Sequence, residues 1–316
     1  MACIDGSAVG PTVFAHARAL AHSLELPIAV AQVVEARKSS AAPRDPFEWQ
    51  IICREGRSRL HHFAAVCGVV PEPVEEVLLH GSASEEINRW AKDNHVGFLV
   101  VATHRPSAGR TSLLGSTARR LLESGERSLL LIPPDVPAEA NVRYRRLVVP
   151  LDGSRRAESV LPVALRIARQ NEAEILLVHV VPTPELFDAG PDDGRARELC
   201  AEFHDAGARM ASHYLDTLRF RLANENIGVR VKILDHGDPR VCLKKIADAE
   251  VADLIIMSAH GHTGLVDQPC GSVTAYLANH LAVPLLIIHN ESAATPRRAA
   301  FRSKLSGRTL LASSTH

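Results

Sequence analysis

The sequence predicts an α/β protein made of two tandem open parallel five-stranded sheets, each covered by helices on both faces. Three observations carry that expectation: an internal repeat with a period near 150 residues, short near-continuous apolar runs, and helical-period segments between the runs. A chain of 316 residues has room for two such units.

The repeat is visible by inspection. Cys3-Ile4-Asp5-Gly6-Ser7 recurs as Pro150-Leu151-Asp152-Gly153-Ser154, so Asp5 and Asp152 stand 147 residues apart. Ile28 to Val34 aligns with Ile175 to Val181 at the same offset, placing Gln32 opposite His179. Beyond that point the offset becomes 156: His80-Gly81 matches His236-Gly237, Gly115-Ser116 matches Gly271-Ser272, and Leu129 to Ile132 matches Leu285 to Ile288. The net difference falls between the second and third strands. A period of this size marks a domain duplication.

In the second copy, Arg146 to Leu151 is a β-branched apolar run ending in Asp-Gly-Ser, a strand feeding a turn with an N-cap candidate. Glu158 to Gln170 has helical spacing, Ile175 to Val181 reads as a buried strand, and Arg195 to Glu225 as a long helix. Val229 to Leu234, Val241 to Glu250, Leu254 to Met257, Val273 to Leu281 and Leu285 to Ile288 continue the alternation. Strands apolar throughout imply a parallel sheet covered on both faces. The first copy repeats the pattern, with helices near Thr12 to Leu24, Glu48 to Val66, Ser84 to Asn94 and Ser116 to Ser124, and with an abnormally short first strand.

These boundaries give a first domain over 1–133, a Pro-rich linker over 134–145, a second domain over 146–290 and a basic tail over 291–316. The tail sets Arg297, Arg298, Arg302, Lys304 and Arg308 against the single acid Glu291, a composition that predicts disorder. The last strand of each copy is apolar and would be an open edge, which invites pairing between the copies or between chains as a homodimer.

Composition excludes several classes. Lys+Arg and Asp+Glu both number 36, so no global field favours nucleic acid or an anionic membrane. The six cysteines form no CxxC pair and no metal-ligand spacing, which suits a reducing compartment. No apolar run reaches the roughly 20 residues of a membrane span, and no signal-peptide pattern opens the chain. A cytoplasmic location is expected. His61-His62 and His260-Gly261-His262 lack partners at metal-binding spacing, so no metal centre is expected from them.

In open parallel sheets ligands bind beyond the carboxyl ends of the strands, where strand order reverses. In the second copy those ends carry Asp152-Gly153-Ser154, Val180-Val181-Pro182, His236-Gly237-Asp238-Pro239 and Ser258-Ala259-His260-Gly261. The last opens a loop that returns at Gly271-Ser272-Val273, the start of the final helix. Glycines let backbone approach a phosphate, and a Gly-Ser step at a helix N-terminus aims free N–H groups at an anion. Read without a ligand, the same residues are a turn glycine and helix caps.

Taken in order, VVPLDGS (Val148 to Ser154), LLVHVV (Leu176 to Val181), HGDP (His236 to Pro239), the loop from Ser258 to Val273 and VPLLII (Val283 to Ile288) resemble the universal stress protein family, in its tandem two-domain form. The resemblance implies a Rossmann-like fold of the adenine-nucleotide alpha-hydrolase type. It also implies a site for ATP or AMP, with Mg2+ as the accompanying cation. ATP-binding members show G-x2-G-x9-G-(S/T), and the matching positions here are Ser258, Gly261, Gly271 and Ser272. By that resemblance Leu151, Asp152 and Val180 frame the adenine, Met257 lies under it or the ribose, and Gly261, Gly271, Ser272 and Val273 hold phosphates.

Two departures stand out in the second copy. Ser258 replaces a glycine, and Asp267-Gln268-Pro269-Cys270 replaces an apolar stretch, placing an acid that repels a triphosphate unless a cation intervenes. The first copy departs further: Ala102 and Arg105 replace both early glycines while Gly115-Ser116 survives, so it is expected to be a degenerate partner, the alternative being a retuned anion site with Arg105 as a phosphate fork. Enzymes of related folds carry a Ser-Gly-rich loop or an HxGH step after the first strand; here that position reads Asp152-Gly153-Ser154-Arg155. With no nucleophile–base–acid set, the expectation is a nucleotide-binding stress-response regulator rather than an enzyme. The alternatives are a ligand-free pseudo-dimer and a weak ATPase.

Overall fold

The computed structural model describes residues 1–35, 46–67, 74–104, 114–137, 139, 141–181, 194–234, 237–261 and 270–289. The tail over 291–316 lies outside them, as do Arg105, His236, His262 and Asp267.

The first copy runs β1 (Ala2–Ile4), α1 (Gly10–Leu24), β2 (Ala29–Val34), α2 (Pro46–Cys67), β3 (Glu75–His80), α3 (Ala83–Asp93), β4 (Phe98–Ala102), α4 (Ser116–Ser124) and β5 (Ser128–Ile132). The second runs β6 (Arg146–Pro150), α5 (Arg155–Glu158), α6 (Leu161–Asn171), β7 (Glu174–Val180), α7 (Gly194–Leu222), β8 (Val229–Leu234), α8 (Pro239–Ala249), β9 (Leu254–Ser258), α9 (Ser272–His280) and β10 (Leu285–Ile288). A 3-10 turn, Ala223–Glu225, follows α7. The helix expected over Glu158 to Gln170 is α6, and the short α5 precedes it. Pro162 cannot donate to Glu158, so the first turn closes at Glu158 and a new helix starts at Leu161.

The two sheets expected from the sequence are one. Strand order is β3-β2-β1-β4-β5-β10-β9-β6-β7-β8, ten strands in a single sheet. Every pairing within a copy is parallel. The pairing between copies, β5 with β10, is antiparallel, with Leu286 opposite Leu130. Each apolar last strand thereby satisfies the backbone groups and side chains that the other would leave exposed.

Alternate strand residues feed two cores. On one face Val30, Leu130, Leu147, Ile175 and Leu286 pack with α1, α6 and α7; on the other Ala31, Leu129, Val148, Ile255 and Ile287 pack with α3, α4, α8 and α9. Helix α1 lies against α6 across the junction. There Arg166 donates to the Leu24 carbonyl, Asn171 Nδ2 donates to Ser23 Oγ at 3.0 Å, and His16 Nδ1 meets the Tyr144 hydroxyl at 2.8 Å. Tyr144 belongs to the linker and is fully buried, so that end of the linker is part of the core.

The duplication extends to capping. Leu26 N–H bonds to Ala21 O and Ala173 N–H to Ala168 O, each behind a left-handed glutamate, Glu25 and Glu172. These pairs keep the 147 offset. The helix ends before β4 and β9 match as well: Val96 bonds Ala91 and Ala252 bonds Ala247, behind left-handed His95 and Val251.

Candidate functional site

Strand β6 lies between β7 and β9, so the chain leaves it in one direction and returns on the other side; β1, between β2 and β4, repeats this. Each copy has its switch-point crevice there.

In the second copy the turn after β6 is held from three sides. Leu151 N–H donates to Val178 O at 2.8 Å, and Leu151 O accepts at 2.8 Å from His179 Nδ1, which therefore carries the ring hydrogen. Asp152 Oδ1 accepts from Ser154 N–H at 3.0 Å, across Gly153 at φ +83°, a left-handed position that suits glycine. Ser154 Oγ accepts from Ala157 N–H and caps α5.

The loop after β9 is tied to the same place. Ala259 N–H donates to Ile288 O at 2.9 Å and Gly271 N–H to Ala259 O at 2.8 Å, which pins both loop ends. A Cβ on Gly261 would lie 2.4 Å from Asp152 Oδ2, so glycine is what lets the carboxylate and the loop meet. Gly271 is different. Its φ of −68° suits any residue, and a Cβ there would meet nothing closer than Ala259 O at 3.5 Å. Among the described residues no side chain caps α9 at this end, where Ser272 and Val273 form its first turn.

The structure therefore brings Asp152, Gly261, Gly271 and Ser272 together. Val180, Met257 and Val273 belong to the apolar cluster on the α8–α9 face beside them. Leu151 faces the opposite core and offers this site only backbone. Ser258 is 9% exposed; its hydroxyl donates to His260 O at 2.6 Å, and its carbonyl accepts from Thr274 Oγ1 at 3.2 Å. The serine that replaces a glycine thus braces its own loop. Asp238 likewise caps α8 by accepting from Arg240 N–H at 2.9 Å.

Behind Asp152, the Tyr214 ring stands edge-on to His179, with centroids 6.4 Å apart. Burial, then the Glu158 and Asp152 carboxylates, push the Tyr214 phenol well above its ordinary range. The first copy reaches the rim of this site: burial, then the negative Glu123 of α4, raises the Cys270 thiol pKa. Among the described residues no group of three or more His, Cys, Asp or Glu stands where it would hold a metal ion.

The first copy keeps the turn. Asp5 Oδ1 accepts from Ser7 N–H at 2.9 Å across Gly6 at φ +79°. Burial pushes the Asp5 pKa up, but hydrogen bonds from Ser7 and the charge of His104 outweigh it, leaving the carboxyl below its usual range. The cradle differs: a Cβ on Gly115 would meet the His104 ring at 2.9 Å. Ala102 ends β4 half-buried. The residue found against the surviving glycine is His104, which the sequence reading passed over; its 156 offset from His260 was the signal.

Comparisons with known proteins agree with this architecture. The sequence model of the universal stress protein family matches twice, over residues 1–133 and 143–289. A universal stress protein of Methanocaldococcus jannaschii is 26% identical over 162 residues, 48% of this chain and 99% of that protein. The crystal structure of a universal stress protein from Archaeoglobus fulgidus superposes with a TM-score of 0.63 at 18% identity, covering 90% of this chain and 96% of that one. A functionally unknown protein from Pseudomonas aeruginosa gives a TM-score of 0.59 at 12% identity, covering 93% and 92%. At these identities the superpositions speak to the fold alone.

Proposed function

The chain belongs to the universal stress protein family, as two family domains in tandem, and from that premise we propose that it is a nucleotide-binding regulatory protein whose second copy takes ATP or AMP. Gly271 carries the proposal. Neither its backbone angles nor its described neighbours require glycine, yet it stands at a helix N-terminus that no described side chain caps, beside Gly261 and Asp152. Approach of a phosphate to bare backbone is the physical reason such a position stays without a side chain.

The residues that would hold the nucleotide are Asp152 and the backbone at Leu151 and Val180 on one side, with Met257, Gly261, Gly271, Ser272 and Val273 on the other. A divalent cation such as Mg2+ fits the proposal because Asp152 is itself anionic. Differential binding between two conformations is enough for regulation. We place the protein in the cytoplasm; no described helix is long and apolar enough to cross a membrane.

Titration calorimetry with ATP and AMP, with and without Mg2+, tests this. One site per chain is expected in the parent and none in Gly271→Val, with melting temperature retained. Two equivalent sites, or unchanged binding by the variant, contradict it. Hydrolysis slower than about 1 per second would place turnover below the usual enzyme range, as we propose. A ligand-free paired scaffold is the second reading, favoured by the β5–β10 junction, which is complete without a ligand. Absence of any nucleotide binding would select it.

A further inference from the structure

On the other side of its β1–α1 turn, the first copy differs from the second in a way that its nucleotide cradle does not explain. Gln32 shares a strand face with Val30, which packs toward α1, α2 and the rest of that core. It is 6% exposed, and its amide makes no hydrogen bond to a described residue.

The amide points at the turn. A Cβ built on Gly6 would lie 3.8 Å from Gln32 Nε2 and 4.0 Å from Arg59 Nη1. Arg59 comes from α2; its Nε donates to Glu55 O at 3.4 Å, and no carboxylate pairs with its guanidinium among the described residues. The Asp5 carboxylate is engaged by Ser7 N–H and feels His104. Phe63 lines the niche beside Gly10, at 3.5 Å from where a Cβ on that glycine would stand.

The second copy is built differently at the same place. His179, in the place of Gln32, spends its Nδ1–H on Leu151 O and stands edge-on to the Tyr214 ring. Around Gly153 nothing lies within 4 Å of the equivalent Cβ position. Where the second copy holds a histidine and a buried tyrosine hydroxyl, the first thus brings an amide and a guanidinium toward one point.

We propose that the first copy carries a site for a small oxyanion, a phosphate or carboxylate group, between Gln32, Arg59 and the Gly6–Ser7 turn. A guanidinium presents a planar fork suited to such groups, and a partly desolvated amide N–H adds direction. This site is separate from the nucleotide cradle and does not depend on it.

The test uses the full chain carrying Gly271→Val, so that the second cradle does not contribute. It is titrated with inorganic phosphate and, in a separate arm, with acetate and succinate, against chloride at equal ionic strength. Saturable binding with one site per chain is expected in one arm, and that arm identifies the source. Gln32→Leu should weaken it at least tenfold while leaving the melting temperature unchanged or raised, since the amide makes no hydrogen bond to a described residue. Arg59→Met, at an exposed position, should weaken it as much and decides the matter if Gln32→Leu does not fold. No saturation by any probe up to about 10 mM, a range that includes even millimolar dissociation constants, overturns the proposal. Affinity unchanged in Arg59→Met overturns it equally.

Discussion

Leu130 of β5 lies directly opposite Leu286 of β10, and each holds the same place in its copy of the duplicated unit. The local twofold relating the copies therefore passes through this pair. Both side chains are fully buried, in the core that also receives α1 and α6. Truncation to alanine at either position should cost roughly 2–5 kcal/mol.

A shared sheet predicts shared unfolding. Both tryptophans, Trp49 and Trp90, lie in the first copy, so their fluorescence reports that copy while far-UV circular dichroism reports both. The two probes should give coincident urea transitions in the parent chain. In Leu286→Asp, a buried charge against Leu130 should uncouple the copies and separate the curves. Separate transitions in the parent would show that the junction does not transmit cooperativity.

The inner strands were legible because parallel strands buried on both faces are apolar throughout, as Leu285–Ile288 is; the edge strand Val229–Leu234 carries Arg230 and Lys232, yet it too begins and ends where the sequence placed it. The join was less so. Leu129 to Ile132 and Leu285 to Ile288 announced edges that needed cover, but nothing local in either run fixes an antiparallel register between them. At the site, Gly261 and Asp152 were each singled out, whereas their contact depends on two loops 109 residues apart in sequence. His104 against Gly115 was not legible because their approach is made by a strand end and a helix start that no local pattern joins.

The junction should be acid-sensitive. Burial lowers the His16 pKa from 6.5 to about 4, and burial followed by His260 lowers that of His289 to about 4. The folded state thus binds these protons more weakly than the unfolded chain does. Stability contributed by the neutral rings is complete above the unfolded value near 6.5 and is lost as pH falls toward 4. For His16, 3% exposed, that loss amounts to roughly 3 kcal/mol. Urea midpoints measured from pH 7 to pH 4 should fall, and His16→Gln should flatten the profile by about one proton, leaving the share due to His289. An unchanged slope would remove His16 from the account.

Val251 sits at φ +49° and is 69% exposed, a β-branched residue in left-handed backbone with no packing in return. That conformation costs an L-residue roughly 1–2 kcal/mol, and asparagine tolerates it better. Val251→Asn should stabilise the chain by about 1 kcal/mol, read as a higher urea midpoint with unchanged slope. A neutral or lower midpoint would mean the helix end relaxes around valine at no cost.

The contact between Asp152 and Gly261 makes the last prediction, and it can be read without any ligand. A Cβ at position 261 would stand 2.4 Å from Asp152 Oδ2, closer than nonbonded atoms approach. Gly261→Ala must therefore move either the loop, held by the Gly271–Ala259 hydrogen bond, or the carboxylate, held by Ser154 N–H. The cost should be about 1–3 kcal/mol, the range for overpacking in a constrained site. Asp152→Ala removes the clashing oxygen and separately costs the turn about 1 kcal/mol for its lost hydrogen bond. If the two residues meet as described, the double variant should be more stable than the sum of the single losses, by a coupling on the order of 1 kcal/mol or more. Additive losses would mean that the loop after β9 does not rest on Asp152 in solution. The crevice would then lack the juxtaposition on which the nucleotide proposal depends.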